Sequence, residues 1–414
     1  MQSARWRREA AFLGSWHLCL GAVAAALRFT SADQLLAAGE RSLRAPLAEA
    51  AAAIREVVPG YSFMADVLFE EPDAKRQAEL MESVHSAKEA ALDAALWVED
   101  PTGYAAADAK SSGGPHAGDF LLPPLPGEPG DKVMMMSEDE FVTSLRARLR
   151  FDYPAFLPRF QRERGPAQQC NHQYSGGSAI CGHRLVRANG TVDVKGIHPQ
   201  LCNVGGGVDR RHHALRDLLE GWLLKVGLVP WADREQHVPA WDKLVQAKHP
   251  VTGAPQFRIV QRPDGTSIQE PVMVVKQAVL DVAFRDDEGT LAYVDVAYTN
   301  ACSEDATATG RAARTAGKSA GEREEHKRKR YPPEKNPHAE LIPFAVEARG
   351  RLGAEVLPFL RQHAPAEEPM RSAAMARVLR EISIVTQKGL AALLLAAEPR
   401  PAAVCRLCPP GLVA

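Results

Sequence analysis

Two short apolar segments, each with an aspartate at its centre, place the strongest constraint on how this chain can fold. In the stretch VLDVAFRDDEGTLAYVDVAY, Asp281 and Asp295 stand where Val, Ile or Leu would be expected. The β-branched residues around them predict two buried strands, and the RDDEG between them predicts a hairpin turn. Two carboxylates brought together on such strands repel each other and lose solvation, so a cation between them is expected.

In proteins, a hard divalent cation usually offsets that repulsion. Mg²⁺ prefers carboxylate oxygens together with water and phosphate oxygens, and it can activate water against a phosphodiester. The alternative is that one aspartate caps a strand end while the other forms a surface salt bridge. Spacing alone favours this alternative, so the choice depends on the neighbouring sequence.

The segment GRAARTAGKSAGEREEHKRKRY, which follows the second strand, is strongly basic. We predict one long helix at about 304–331, and such a helix beside two aspartates would hold a phosphate backbone. Lys327 or Lys329 would then orient the attacking water or stabilise charge in the transition state, and Arg328 and Arg330 would contact nucleic acid. The alternative is a solvated helix face with ion pairs between residues four apart.

A second basic cluster opens the segment DRRHHALRDLLEGWLLKVG, which predicts an amphipathic helix from Asp209 that is closed by Gly227. Its candidate phosphate contacts are Arg210, Arg211, His212 and Arg216. A solvated helix start explains the same residues equally well.

Residues 165–208 are rich in Gly, Cys and His and show little periodicity. Such a segment would gain its folding energy from a bound ion, and Zn²⁺ takes four nitrogen or sulfur ligands. His172 and His183 are alternative ligands, and ordinary thiols with loop histidines remain the other interpretation. The preferred set has the spacing Cys-x10-Cys-x16-His-x3-Cys and consists of Cys170, Cys181, His198 and Cys202.

The composition of the whole chain limits the kinds of partner that it is expected to bind. The formal net charge of −1 gives no whole-chain reason to expect nucleic acid or a membrane, so a nucleic-acid surface must be local. Without a run of 18 apolar residues, we expect an intracellular protein that does not span a membrane. Seven scattered cysteines suit reduced thiols or metal ligation better than disulfides.

The order of elements predicts an α/β (α+β) chain. Strands are expected around 257–261, 272–284 and 291–298, and a capping box at Ser137 and Glu140 starts a helix. We divide the chain into a helical region at 1–97, a flexible linker at 98–133, a helical segment at 134–168, a zinc knuckle at 169–208, the domain with the aspartates at 209–365 and a helical tail with a Pro-rich end at 366–414.

Taken in order, these pieces resemble the C-terminal region of non-LTR retrotransposon polyproteins, downstream of the reverse transcriptase. That region comprises a helical part, a zinc knuckle and a restriction-like endonuclease. The matching segments here are FLGSWHLCL, SEDEFVTSLRARLRF, CGHRL…HPQLCNVGGGVDRRHHALRDLL, VLDVAF…YVDVAY, KRKRY and LIPFAVEARGRLG.

The resemblance implies a PD-(D/E)xK-type nuclease core, a mixed sheet flanked by helices, in which Asp281 and Asp295 bind Mg²⁺. A lysine of the later helix, Lys327 or Lys329, would replace the lysine of the usual strand motif. The implied activity is nicking of DNA, with element RNA as a further partner and the nucleus as the location. Oligomeric state is not predicted.

The chain also departs from the family pattern. Leu280 replaces Pro, Ala297 replaces Thr, His213 replaces Asn, and Ser178 stands where the first knuckle cysteine is usual. The FRDD at 284–287 matches the Tyr/Phe-x-Asp-Asp pattern, but it lies in the predicted turn between the two strands, so we expect the polymerase active site to be absent. The chain therefore looks like a detached 3′ fragment of such an element. A second hypothesis is a non-catalytic nucleic-acid-binding remnant.

Overall fold

The fold divides into two compact units, Met1–Pro101 and Thr102–Ala414. The computed structural model describes residues 34, 45–58, 61, 74–122, 135–153, 156, 169–175, 177–185, 193, 195–231, 235–249, 253–262, 266–303 and 305–398. Within these ranges, no helix is both long enough and apolar enough to cross a lipid bilayer.

The first unit contains helix α1 (Ala45–Arg55) and helix α2 (Ala74–Glu99), in the region predicted to be helical. Helix α1 buries Leu47, Ala50 and Ile54, which recur at the spacing of one helix face. The segment FLGSWHLCL lies outside the described residues.

The second unit is an α+β assembly of helices and small sheets. Its helices are α3 (Tyr104–Ser112), α4 (Glu138–Arg148), α5 (Ile197–Leu201), α6 (Gly207–Lys225), α7 (Ala306–Arg314), α8 (Lys318–Arg330), α9 (Val356–Gln362) and α10 (Met370–Ala396). Its strands are β1 (Gln236–His237), β2 (Lys243–Gln246), β3 (Phe257–Gln261), β4 (Ser267–Pro271), β5 (Met273–Lys276), β6 (Val279–Leu280), β7 (Val282–Arg285), β8 (Leu291–Thr299) and β9 (Ala339–Glu347).

A three-stranded sheet in the order β7-β8-β9 forms the centre of this unit. Strand β7 runs antiparallel to β8 through the predicted hairpin, and β9 runs parallel to β8 after a crossover through α7 and α8. One face of the sheet packs its even-numbered residues, such as Val294 and Phe344, against α6, α9 and α10. The other face carries Tyr293, which packs against Trp241 and Tyr331. Because other elements cover both faces of the sheet, the sequences of β8 and β9 are almost continuously apolar.

The local signals for two helix ends are confirmed. Ser137 Oγ accepts from the Glu140 backbone N–H at 3.2 Å, and the Ser137 N–H donates to Glu140 Oε2 at 2.7 Å, which is the predicted capping box at the start of α4. Helix α6 ends two residues before Gly227, which has a φ of 92°. Glycine adopts this left-handed conformation at little cost and so stops the helix there.

The segment predicted as a flexible linker instead contains a packed helix. Helix α3 buries Ala105 and Ala106, and the backbone N–H of Phe120 donates to Ser383 Oγ at 3.1 Å. Alanine and glycine suggest a linker in a sequence, but their small side chains also let a helix pack closely against its neighbours. The rest of the predicted linker, 123–133, lies outside the described residues.

The structure corrects one further predicted helix and confirms the helix predicted for the tail. The predicted helix at 304–331 is two helices, α7 and α8, separated at Gly317, which has a φ of 73°. The predicted helical tail contains a central core element: α10 buries Ile382, Leu390 and Leu394 against α6, α4 and the Cys/His segment. The terminal CRLC sequence lies outside the described residues.

Candidate metal centres and basic surface

Asp281 and Asp295 face each other across the β7–β8 hairpin. Asp281 lies at the bend just before β7, and the adjacent Val282 pairs with Val294 of β8, the neighbour of Asp295. The Asp281 carboxylate is close enough to Asp295 to raise the pKa of Asp295. Both aspartates are buried, with 8% and 4% of their surface exposed. The hairpin therefore brings two carboxylates together away from bulk water.

Both oxygens of Asp281 have partners. His212 Nε2, from α6, lies 2.7 Å from Asp281 Oδ1. The Val296 backbone N–H donates to Asp281 Oδ2 at 2.7 Å. His212, predicted as a phosphate contact, thus holds the orientation of an aspartate.

Asp295 lies beside a buried lysine. Lys327 Nζ, from α8, is 2.5 Å from Asp295 Oδ2, and both side chains are largely buried. Lys327 is therefore the counter-charge of this buried oxygen. Burial raises the pKa of Asp295 from 3.8 to about 6; the Lys327 charge opposes this rise and the Asp281 charge adds to it.

Of the two lysines predicted for this site, the structure brings only Lys327 to the aspartates. Lys329 is 74% exposed and forms an ion pair with Glu325 at 2.5 Å. Residues two apart on a helix point in nearly opposite directions, so Lys327 and Lys329 cannot face the sheet together.

The two arginines predicted as nucleic-acid contacts on α8 are engaged within the protein. Arg328 forms an ion pair with Glu355 at 2.5 Å. Arg330 donates to the backbone carbonyls of Trp241 and Lys276, at 2.7 and 3.0 Å. Arg330 therefore links the end of α8 to the chain around β2 and β5, which corrects its predicted role as a nucleic-acid contact.

The arginines predicted as phosphate contacts on α6 have different environments. Arg216 is buried and forms ion pairs with Asp217 and Glu235, at 3.1 and 3.3 Å. Arg210 is exposed, although its Nη1 donates to the Gly205 carbonyl at 2.7 Å. Arg216 is thus a buried structural residue, whereas Arg210 stays accessible to a ligand.

Arg211 is also buried, at 5% exposure, and its guanidinium stacks 4.4 Å from the centre of the Tyr298 ring. The desolvation of burial lowers the pKa of Arg211. The backbone of a duplex on the surface cannot reach it, so its predicted role as a surface phosphate contact is corrected.

A basic cluster that sequence inspection missed lies next to Lys327. Burial lowers the pKa of His326, and four surrounding cations lower it further: Arg323, Lys327, Lys276 and Lys243. Lys243 and Lys276 are paired across the β2–β5 ribbon. They are 33 residues apart in sequence, so only the strand pairing could have revealed them. We call these four residues the His326 cation cluster.

The second candidate centre is formed by the predicted cysteine and histidine ligands. The ligand atoms of Cys170, Cys181, His198 and Cys202 all lie within 4.8 Å of one another. Cys181 Sγ lies 3.5 Å from His198 Nε2. A Cys₃His set that converges in this way can hold a metal ion such as zinc.

Short-range backbone structure positions these ligands. Residues 169–175 and 177–184 form the two sides of a small antiparallel hairpin, in which the Cys170 N–H donates to the His183 carbonyl and the Cys181 N–H donates to the His172 carbonyl, both at 2.8 Å. His198 lies on α5 and Cys202 immediately follows that helix, so their four-residue spacing puts both on one side of a helical turn.

The alternative ligands lie outside the cluster. His172 Nε2 lies 2.7 Å from the Leu393 carbonyl of α10, and the His183 ring stacks 3.9 Å from the His198 ring. Burial raises the pKa of both Cys170 and Cys202. Buried thiols this close together are costly to ionise without a cation, and a bound metal would supply one.

The site residues therefore form two centres, one with carboxylate and lysine groups and one with thiol and imidazole groups, with a basic cluster beside the first. Comparison with models of known protein families and with curated proteins finds no match to this chain.

Proposed function

We propose that this chain is a Mg²⁺-dependent DNA endonuclease, derived from a non-LTR retrotransposon and without a polymerase active site. The observation that carries the proposal is the arrangement of Asp281, Asp295 and Lys327, in which a strand hairpin supplies two buried carboxylates and a separate helix supplies the lysine. The resemblance to the restriction-like endonucleases of these elements assigns the same three residues.

The donor atoms at the hairpin suit a hard divalent cation. Asp295 Oδ2 lies 2.5 Å from Lys327 Nζ, and a carboxylate oxygen has a further lone pair that could bind a cation. Each oxygen of Asp281 accepts one hydrogen bond and retains a second lone pair. Carboxylate oxygens favour Mg²⁺ over softer metals.

When bound, Mg²⁺ would supply activation of water and neutralisation of charge on the phosphate. The residues of the chain would provide orientation. His212 and the Val296 N–H hold Asp281 in one rotamer, and Lys327 keeps Asp295 charged while lying close enough to donate to a phosphate oxygen. The His326 cation cluster would hold the phosphate backbone beside the hairpin.

The order of elements supports the proposal. The elements follow one another as in a restriction-like core, in the order helix α6, hairpin β7–β8, helices α7 and α8, and parallel strand β9. In such a core, the central hairpin carries the acidic residues and helices cover the sheet. The Cys₃His set precedes this core, and its sulfur-rich ligands favour Zn²⁺.

One observation favours a second candidate, the non-catalytic nucleic-acid-binding remnant. Lys327 already neutralises Asp295 at 2.5 Å without any metal, as in an ordinary buried ion pair. In this alternative the cation cluster and the knuckle would still bind DNA or element RNA, and the aspartates would serve only the fold.

Nicking of supercoiled plasmid DNA distinguishes the two candidates. We expect the purified, zinc-loaded chain to convert supercoiled plasmid to open circles with Mg²⁺ present and not with Ca²⁺ in its place. Binding of the same plasmid, measured by gel shift at fixed salt, is expected in both cases. Binding without nicking would support the remnant and refute the endonuclease.

Replacing Lys327 by Met should reduce the nicking rate about 100-fold, because the residue beside Asp295 would no longer provide a positive charge. The matched change Lys329→Met, two residues further along the same helix, should alter the rate less than 3-fold because Lys329 is exposed. Initial rates on the same plasmid measure both. Equal rates for the two variants would exclude Lys327 from the mechanism.

A further inference from the structure

A cavity of about 460 Å³ lies between the first turns of α6, the C-terminal half of α10 and the hairpin that carries Cys170. We call it the α6–α10 cavity. Its volume falls within the range of about 300–1,000 Å³ that is typical of ligand pockets. The nuclease proposal makes no use of it, and neither aspartate lines it.

A buried, uncompensated cation lines this cavity. Arg211 Nε and Nη1 are buried and have no hydrogen-bond partner, and no carboxylate in the described ranges forms an ion pair with the residue. The Tyr298 ring offsets only part of the desolvation cost. A buried charge without a counter-charge is strongly destabilising, so an anion in the cavity would relieve it.

The start of α6 also favours an anion in this cavity. Helix α6 begins at its edge with Gly207, and no side chain caps that helix end, so the positive end of the helix dipole lies there. This helix end adds to the charge of Arg211 and of the exposed Arg210.

The rest of the lining is mostly apolar. Its apolar side chains are those of Val204, Ala214, Val385, Ala392, Leu393 and Ala396. Its other polar side chains are those of Gln173, Glu140 and Lys388, and the last two are engaged with the chain around the start of α4. Phe, Tyr and Trp do not occur among the lining residues within the described ranges, so a nucleobase would have no aromatic ring on which to stack. An alkyl chain fits such walls, and burying it contributes about 0.8 kcal/mol for each CH₂ group.

We propose that the α6–α10 cavity binds a small aliphatic carboxylate, with its head group at Arg211 and its chain along α10. This site is separate from the nuclease, and the inference does not depend on the proposed function. Such a ligand would join α6, α10 and the hairpin, and would therefore stabilise the fold.

Calorimetric titration of the full, zinc-loaded chain with sodium octanoate tests the proposal. We expect one octanoate per chain and a rise in the melting temperature with octanoate concentration. Arg211→Met should weaken binding at least 10-fold by removing the charge. Ala392→Leu should weaken it at least 5-fold by filling the cavity, and it keeps the test decisive if the Met variant fails to fold.

Lys225→Met, at the far end of α6, is the matched control and should bind octanoate like the wild type. The proposal would be overturned if octanol bound as tightly as octanoate, or if inorganic phosphate alone raised the melting temperature as much as octanoate does. Unchanged octanoate binding in both cavity variants would also overturn it. Tighter binding of adenosine monophosphate than of octanoate would assign the cavity to nucleotides and would equally overturn it. None of these measurements depends on nicking activity.

Discussion

Replacing Cys202 by Ser is expected to abolish zinc binding at the Cys₃His set and to unfold the hairpin that carries Cys170 and Cys181. This hairpin has little apolar surface of its own, so the metal would provide most of its folding free energy. Cys170 and Cys202 also pack against Leu390 and Leu394, so loss of the metal should loosen one side of α10 as well. We expect zinc content to fall by about one ion per chain and the free energy of unfolding to fall by about 3 kcal/mol or more.

Metal analysis, thermal unfolding and hydrogen exchange of the hairpin amides measure these effects. Cys302→Ser is the matched control, since Cys302 is equally buried but lies outside the ligand set. It should keep the zinc content of the wild type. If Cys202→Ser retained its zinc and its protected hairpin amides, the four residues would be ordinary thiols and a loop histidine.

The parts of the two centres that sequence predicts well depend on residue type and local spacing. The β7–β8 hairpin follows from its β-branched apolar residues and its turn residues, and the hairpin then brings Asp281 close to Asp295. The Cys₃His set follows from the chemistry of its residues even though its first two cysteines are widely spaced. In both centres the side chains that carry the chemistry differ clearly from their neighbours in the sequence.

The parts that sequence does not predict depend on how one element is rotated against another. Lys327 and Lys329 look equivalent in KRKRY, and only the rotation of α8 on the sheet directs Lys327 to Asp295. Arg210 and Arg211 are likewise adjacent and chemically identical, yet one is exposed and the other is buried beside a cavity. No single-sequence pattern contains this information, because it arises from packing between distant segments.

The segment predicted as a linker differs from the prediction for a related reason. Its many Ala, Gly and Ser residues suggest that it makes few core contacts, but α3 makes such contacts through its small side chains and through an ion pair. Arg349 Nε, buried near the end of β9, lies 2.6 Å from Asp108 Oδ1 of α3. Composition gives the sizes of the side chains, but it does not show how closely a helix with small side chains packs against its neighbours.

Asp295→Asn is expected to stabilise the protein at neutral pH while abolishing its nicking activity. The pKa of Asp295 is raised to about 6, chiefly by burial, so the folded state disfavours the charged form that prevails at pH 7.5. Stability is therefore lost as the pH rises from about 4 to about 6, and the loss is complete above that range. Asparagine carries no charge at any of these pH values and escapes the penalty.

At pH 7.5 the Asn variant should exceed the wild type by up to about 3 kcal/mol in the free energy of unfolding, since each pKa unit corresponds to about 1.4 kcal/mol. Its advantage should grow by about 1 kcal/mol between pH 5 and pH 7.5. Urea denaturation at the two pH values measures both quantities. Asp287→Asn, on the exposed turn of the same hairpin, is the control and should change stability by less than about 0.5 kcal/mol.

The nicking rate of Asp295→Asn should fall at least 1,000-fold, because the amide cannot replace a carboxylate as a ligand of Mg²⁺, whereas Asp287→Asn should nick like the wild type. The two measurements separate the proposals. A gain in stability with loss of nicking is what a catalytic carboxylate predicts, since function then maintains a charge that the fold disfavours. If Asp295→Asn were instead destabilised at pH 7.5, the Asp295–Lys327 pair would be a structural ion pair, and the remnant would be the better account of this chain.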